Sequence, residues 1–166
     1  RHISLSTCGI VPKIYELAKL DMQITLSVSL HAPDDETRSE IMPVNKSYGV
    51  DKLLDACREY YKATGRRISF EYTLISGKND TVSNALKLAE VLNRKLRTRT
   101  ENMPIHVNLI PVNEVTESGF KSSDRAAVKK FAATLESKGI RATIRRTLGS
   151  DINASCGQLR REDADA

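Results

Sequence analysis

The chain has 166 residues, enough for one domain with a hydrophobic core, and its net charge of +5 weakly favours polyanionic partners. No apolar run approaches the ~20 residues of a membrane span, and the first residues lack the basic and apolar regions of a signal peptide, so no membrane partner is predicted. The three cysteines are widely spaced and odd in number, which argues against a disulfide framework and predicts a reducing, cytoplasmic compartment.

Several common catalytic motifs are missing from the sequence. It contains no CxxC or CxxxCxxC cluster, so its cysteines do not by themselves form a zinc or iron–sulfur site. Neither GxGxxG nor GxxxxGK[ST] occurs, which argues against a classical dinucleotide enzyme and a P-loop NTPase. No paired carboxylates indicate acid–base chemistry of the glycosidase type.

Hydrophobic spacing predicts strands and helices in alternation. The predicted elements are a strand over 3–5, a helix over 11–20, a strand over 24–30, helices over 36–42 and 50–63, a strand over 68–75, a helix over 81–96, a strand over 105–110, a helix ending at 138 and a strand over 141–147. We expect Cys57 to pack in the core, Ser122 or Ser123 to cap the last helix, and Gly139 to supply the left-handed turn after it.

This order of elements indicates an α/β fold with right-handed crossovers, a mostly parallel sheet and helices outside it. A complete eight-stranded barrel needs ~250 residues, so the sequence predicts an open sheet or part of a barrel. In both architectures ligands bind at the carboxyl ends of the strands.

Polar residues follow the predicted strands at these ends. They are Ser6 and Thr7, then Ser29, Leu30 and His31, then residues 76–80, and finally Pro111, Val112 and Asn113. Hydroxyl, imidazole and carboxamide groups suit a ribose, an amino acid carboxylate or an adenine edge. Any one of them alone is better explained by a turn, and we expect His31 to make a structural hydrogen bond and to bind no metal. Their concentration at one edge favours a binding site. We predict no functional role for His106.

Cys156 lies in a glycine- and serine-containing segment, 149–159, with small neighbours that leave its sulfur accessible. A thiol placed in this way can act as a nucleophile, a group carrier or a metal ligand, or it is an unreactive cysteine in a C-terminal tail. Basic residues cluster at 94–99, at 141–146 and at 160–161. The last two clusters flank Cys156 and would suit RNA phosphates, whereas the first fits the solvated end of a helix.

Six stretches carry a family resemblance in a fixed order: 5–12, 29–33, 42–46, 70–72, 108–113 and 154–159. Together they resemble the radical-SAM adenine-C2 methyltransferases of 23S rRNA and tRNA. The resemblance implies that residues 1–149 are the C-terminal part of a partial (β/α) barrel that lacks its N-terminal strands. Residues 150–166 would then be a tail that carries the methyl-carrier cysteine.

The resemblance also implies the site and its chemistry. Ser6, Ser29, Leu30, His31 and Asn113 fall at positions that bind S-adenosylmethionine in that family. Cys156 matches the cysteine that one S-adenosylmethionine methylates. A second S-adenosylmethionine is cleaved reductively at a [4Fe-4S] cluster, and the deoxyadenosyl radical takes a hydrogen from that methyl group. The carbon radical adds to C2 of the adenine, and another cysteine resolves the RNA adduct. A flavodoxin-type protein would supply the electron.

The sequence departs from the family because it lacks the CxxxCxxC motif, the Gly-Glu strand and the segment with the resolving cysteine, which lie upstream in relatives. Cys8 does not replace them. We therefore predict a portion of a longer enzyme that is inactive alone and exposes the edge of its first strand. Two alternatives remain open: the related class that methylates C8 of adenine and confers antibiotic resistance, and a non-catalytic α/β RNA-binding module.

Overall fold

Five parallel strands form one sheet in sequential order. The computed structural model describes residues 3–20, 22–99, 102–112 and 121–145. The strands are β1 (Ile3–Thr7), β2 (Ile24–Ser29), β3 (Ile68–Leu74), β4 (His106–Pro111) and β5 (Arg141–Ile144). Each strand pairs in parallel with the next along the chain. This is the strand order of a (β/α) barrel, and it confirms the predicted α/β class and partial barrel.

Helices connect successive strands, as the alternating pattern predicts. They are α1 (Val11–Ala18), α2 (Asp35–Ile41), α3 (Val50–Thr64), α4 (Val82–Leu96) and α5 (Arg125–Ser137). A short 3-10 helix, Pro43–Lys46, lies between α2 and α3 and was not predicted. In the described part of the chain, no helix is long and apolar enough to cross a membrane.

The sheet has one apolar face, and the helices cover it. Along β2 and β3 every second side chain is buried, so apolar residues face the helices and polar ones face the other way. The Tyr72 and Phe131 rings pack with centroids 5.1 Å apart. Cys57 is fully buried, and this burial raises its pKa to about 12, which confirms that it is a core residue. Burial also raises the pKa of Tyr72.

β1 forms one edge of the described sheet because its only strand partner there is β2. Ile3 and Leu5 on this strand are 54% and 43% exposed. The predicted open edge of the first strand is therefore confirmed.

The predicted cap of the last helix is wrong. Asp124 occupies the N-cap position of α5, and its side chain makes no capping hydrogen bond. Ser123 is instead buried, and its Oγ donates to Asp80 Oδ2 at 2.8 Å, which ties α5 to the loop after β3. Gly139 has a φ of +74° and supplies the expected left-handed turn.

Candidate functional site

The uncovered face of the sheet carries polar side chains from all five strands. Strand register aligns Ser6 with Ser27, Ser27 with Ser69, and Ser69 with His106. Side chains of aligned residues point to the same side of a parallel sheet, so these groups form one row. The row ends at Arg141 on β5. The sheet therefore presents hydrogen-bonding groups on its open side.

Five of these side chains form a closed ring of polar contacts. Ser69 Oγ donates to Glu71 Oε1 at 3.2 Å and lies 3.0 Å from His106 Nδ1. The Thr143 hydroxyl donates to His106 Nε2, 2.9 Å away, and its oxygen also lies 3.4 Å from Asn108 Oδ1. Asn108 Nδ2 closes the ring by donating to Glu71 Oε2 at 2.7 Å. The Glu71 carboxylate thus sits in a fixed polar network on the open face.

His106 has a lowered pKa because of its burial and of the positive charges of Arg67 and Arg141. A neutral imidazole has one donor and one acceptor nitrogen. Since Ser69 donates to the Glu71 carboxylate, the Ser69 oxygen accepts from His106 Nδ1. His106 is thus part of the polar face, although its sequence context indicates no role for it.

The turn after β2 brings the predicted residues Ser29, Leu30 and His31 to the carboxyl edge of the sheet. Ser29 is aligned with Glu71 on the polar face. The Leu30 side chain is fully buried, and the amides of Leu30 and His31 both donate to the Glu71 carbonyl, at 3.0 and 3.2 Å. His31 has a φ of +58°, an unusual backbone conformation for a residue other than glycine. The turn is therefore held against β3 by backbone contacts.

The His31 imidazole makes the structural hydrogen bond expected from the sequence. Its Nδ1 accepts from the Thr73 amide at 3.0 Å. Burial and the positive charge of Arg38 lower the His31 pKa to about 4, so the ring is neutral near pH 7. With Nδ1 as acceptor, the proton resides on Nε2, which has no partner among the described residues. Nε2–H is therefore a donor available to a ligand.

Arg38 on α2 holds this edge together, although it is fully buried and has no carboxylate in ion-pair contact among the described residues. Its guanidinium donates to the Leu30 carbonyl at 3.0 Å and to the Ser29 carbonyl at 3.1 Å. It also donates to the Cys8 carbonyl, 2.9 Å away in the loop after β1. One side chain thus joins the ends of β1 and β2.

The 3-10 helix and the residues beside it supply the remaining partners of Arg38, among them the Tyr48 carbonyl, which accepts from Nη1 at 3.3 Å. Asn45 Oδ1 accepts from its Nη1 at 3.0 Å, and Met42 Sδ lies 3.8 Å from Nη2. Asn45 Nδ2 in turn donates to the Asp35 carbonyl at 3.1 Å. Gly9 fits closely beside the guanidinium, since a Cβ there would lie 3.3 Å from Nη2 and the φ of Gly9 is +99°. The stretches 5–12 and 42–46 therefore meet around one buried cation.

Asn79 in the loop after β3 holds the other side of the turn. Its Nδ2 donates to the His31 carbonyl at 2.8 Å and to the Thr73 carbonyl at 2.7 Å. Its Oδ1 accepts from the Ile75 amide at 2.7 Å. The side chain is fully buried, so these bonds replace the hydration of its amide group.

Sequence and structural comparisons agree with this architecture. No family model matches the chain. It is 53% identical over 161 residues to a probable dual-specificity RNA methyltransferase RlmN of Clostridium perfringens, covering 97% of this chain and 44% of that protein. A protein of the same description from Clostridioides difficile is 51% identical over 162 residues, covering 98% and 45%. A crystal structure of a radical SAM methyltransferase from Sphaerobacter thermophilus matches with a TM-score of 0.86 and 44% identity, over 95% of this chain and 44% of that one.

The chain is similar over nearly its whole length to part of the RlmN dual-specificity RNA methyltransferases. It spans less than half the length of the relatives described above. A domain of a pyruvate-formate lyase-activating enzyme from Bacteroides vulgatus matches with a TM-score of 0.66 at 18% identity, which supports the fold alone.

The polar edge suits the S-adenosylmethionine that a radical SAM family implies. Ser6 and Ser29 offer hydroxyls, and His31 offers Nε2–H, on one side of the sheet. An iron–sulfur cluster does not fit the described residues, which include no group of three or more His, Cys, Asp or Glu side chains able to hold a metal. Asn113 and Cys156, the other predicted site residues, lie outside the described residues.

The basic cluster at 94–99 makes structural contacts. Arg94 pairs with Asp51 at 3.0 Å, and Arg97 donates to the Gly139 carbonyl at 2.7 Å. Arg145 is exposed, whereas Arg146 and the cluster at 160–161 are outside the described residues.

Sequence reasoning missed Arg38 and Asn79 because a charged residue in a short helix and an amide in a loop are both typical of solvent-exposed positions.

Proposed function

We propose that the protein methylates C2 of an adenosine in 23S rRNA and tRNA, in the cytoplasm, with S-adenosylmethionine and with Cys156 as methyl carrier. The observation that carries this proposal is the turn at Ser29–His31, which Arg38 and Asn79 hold at the open polar edge. More than half of the residues are identical to those of a probable RNA methyltransferase over nearly the whole chain.

The residues at the edge would hold the nucleoside and amino acid parts of S-adenosylmethionine. We infer that the hydroxyls of Ser6 and Ser29 bind its ribose or carboxylate and that His31 Nε2–H donates to an acceptor on it. Asn113, on the segment that follows β4, would recognise a polar edge of the ligand. The backbone groups of Leu30 are already hydrogen bonded, so we assign Leu30 the role of fixing the turn. When bound, S-adenosylmethionine supplies a methyl group and the precursor of a carbon radical.

Cys156 follows β5 in the sequence, and we propose that its thiolate accepts the methyl group. C2 of adenine is electron-poor, so direct polar methyl transfer to it is unfavourable and a carrier is required. The adenine must leave its stack to reach such a carrier. The sequence neighbours of Cys156, Ser155 and Gly157, are small, and we expect them to leave space for the base.

Other parts of the enzyme must supply what the described residues do not. We expect the [4Fe-4S] cluster and the electron donor of flavodoxin type to act through residues outside this chain. Because the sequence contains no CxxxCxxC motif, the 166-residue chain alone should be inactive in methylation.

The first test is a peptide mass map of Cys156 in protein expressed from the whole gene with its cluster loaded. One additional methylene on Cys156 would support the carrier role, and an unmodified thiol in cluster-loaded protein would contradict it. Nucleoside analysis of the RNA product distinguishes 2-methyladenosine from 8-methyladenosine. RNA binding without any methylated product would favour the non-catalytic module.

A second test addresses the cofactor site. Ser29→Ala should weaken S-adenosylmethionine binding about five- to tenfold, since one hydrogen bond contributes about 1 kcal/mol. Ser27→Ala is the matched control, because Ser27 lies on the same face of β2 and is not assigned to the site. Equal affinities of the two variants in calorimetry would contradict the assignment of Ser29.

A further inference from the structure

The net positive charge of the protein is concentrated in one region. Residues 121–145 contain seven Lys and Arg against two Asp and Glu, so this region has a net charge of +5, equal to that of the whole sequence. The remaining residues are therefore electrically balanced. The region comprises α5, β5 and the residues that flank them.

All seven cations of this region are exposed, and none forms an ion pair with another residue that the structure describes. They are Lys121, Arg125, Lys129, Lys130, Lys138, Arg141 and Arg145. Ion pairs within the described ranges involve none of them. Their charge is thus free to act on a ligand in solution.

Cations on the neighbouring helix α4, in contrast, have acidic partners. Arg94 on α4 lies 3.0 Å from Asp51 on α3, and Lys95 lies 2.9 Å from Asp55. Lys87 lies 3.4 Å from Asp34. Paired charges cancel at a distance, so this side of the helical layer has little attraction for a polyanion.

The helix that carries most of these cations, α5, is held firmly against the rest of the protein. Val128, Phe131 and Leu135 on the opposite side of α5 are buried in the core. Arg97 Nη2 donates to the Gly139 carbonyl and Asn93 Nδ2 to the Lys138 carbonyl, at 2.7 and 3.2 Å, which anchors the end of α5 to α4. Because the backbone of α5 is already fixed, only the cationic side chains lose conformational freedom when they bind phosphates.

We propose that the α5 surface, defined by Lys121, Arg125, Lys129, Lys130 and Lys138, docks the phosphate backbone of the substrate RNA. This inference rests on the proposed function, since it gives the RNA substrate its contact surface. α5 packs on β5, and β5 leads into the segment that contains Cys156. RNA held on α5 would therefore lie beside the strand that carries the methyl-carrier segment. Contacts to phosphates give affinity without reading the base sequence, which suits an enzyme with more than one RNA substrate.

The test measures RNA binding by the whole protein. A fluorescent tRNA transcript is titrated with wild type and with the double variant Lys129→Gln/Lys130→Gln over a range of salt concentrations. Loss of two phosphate contacts should weaken binding about tenfold at 0.15 M salt and reduce the slope of log K against log salt by about 1.4 to 1.8. The matched control is Lys19→Gln/Lys52→Gln, which removes the same charge from exposed positions elsewhere and should bind within about twofold of wild type.

Lys129→Arg/Lys130→Arg should restore both affinity and slope, because the charge is retained. An unchanged affinity and slope in the glutamine variant would overturn the inference. The inference would also be overturned if the glutamine variant bound RNA normally, turned over slowly with a flavodoxin-type electron donor and turned over normally with dithionite. That result would assign the α5 surface to an acidic protein. If wild type neither binds nor methylates RNA, the proposed function itself fails. If wild type binds and methylates RNA and the glutamine variant does so equally well, only the proposed role of the α5 surface fails.

Discussion

Arg38 is a buried cation whose charge is compensated by backbone carbonyls. Burial lowers its pKa, and the negative charge of Asp35 opposes that effect. A guanidinium can satisfy several acceptors in fixed directions, which a lysine ammonium cannot. The acceptors of Arg38 come from the ends of β1 and β2 and from the 3-10 helix. The identity of this one residue therefore determines how three separate segments meet.

Arg38→Lys should lower the free energy of unfolding by about 2–4 kcal/mol, because several buried acceptors would lose their donor. Urea denaturation measures the change. Arg94→Lys is the control, since Arg94 forms an exposed ion pair with Asp51 and should lose less than about 1 kcal/mol. Equal losses in the two variants would contradict the importance of the buried contacts.

His31 should make stability depend on pH. Its pKa is about 4 in the folded protein and 6.5 in the unfolded chain, so between these values the unfolded state binds more protons. The folded state should therefore lose about 2–3 kcal/mol as pH falls from 7 to 4, and regain it as pH rises.

His31→Asn should remove this component, since asparagine tolerates a positive φ and can offer an oxygen to the Thr73 amide. The free energy of unfolding is measured for both proteins at several pH values, and the difference between them cancels all other titrating groups. A difference that does not change between pH 4 and pH 7 would show that the pKa of His31 is the same in the folded protein and in the unfolded chain.

At the scale of elements, loops position the strand ends. The loop between β3 and α4 contains Asn79, whose side chain hydrogen bonds to the His31 carbonyl in the turn after β2 and also to Thr73 and Ile75 at the end of β3. The loop after α2 contains Asn45, which contacts Arg38. Parallel strands share no tight hairpins, so such side-chain contacts fix how the ends of neighbouring strands meet.

Asn79→Asp should destabilise the protein by about 3 kcal/mol at pH 7, because a carboxylate would face the carbonyls of His31 and Thr73. The loss should be smaller at pH 4, where the carboxyl group takes up a proton. Thermal or urea unfolding at both pH values tests this. In the control Asn84→Asp, the carboxylate still accepts from the Thr81 amide at the N-terminus of α4, and the loss should stay below about 1 kcal/mol.

At the scale of the molecule, the sheet is covered on one side and open on the other. Its polar face and its carboxyl edge meet where the candidate site lies. The unpaired positive charge lies at α5 and β5, whereas the opposite edge, β1, exposes apolar side chains. The two edges of the sheet therefore differ in the partners they favour.

The exposed edge of β1 should cause the 166-residue chain to self-associate. Leu5→Lys should shift it toward monomer, because a charged residue on an edge strand opposes pairing with another strand. Sedimentation velocity at several concentrations measures the shift. Leu86→Lys is the control: Leu86 has a similar exposure, 42% against 43%, but lies on α4. A similar shift in both variants would indicate general solubility and not edge pairing.

Local patterns in the sequence determined the order of strands and helices, the α/β class and the burial of Cys57, because apolar periodicity and turn residues act over short distances. The ordered motifs also indicated, without coordinates, the RNA methyltransferases to which the chain is similar. Only the tertiary structure decided that Arg38 binds the Cys8 carbonyl, that His31 accepts from Thr73 and that His106 joins a closed polar ring. These contacts join residues about 30 or more positions apart, and the same residue types are usually exposed, so their pairing depends on how the elements pack.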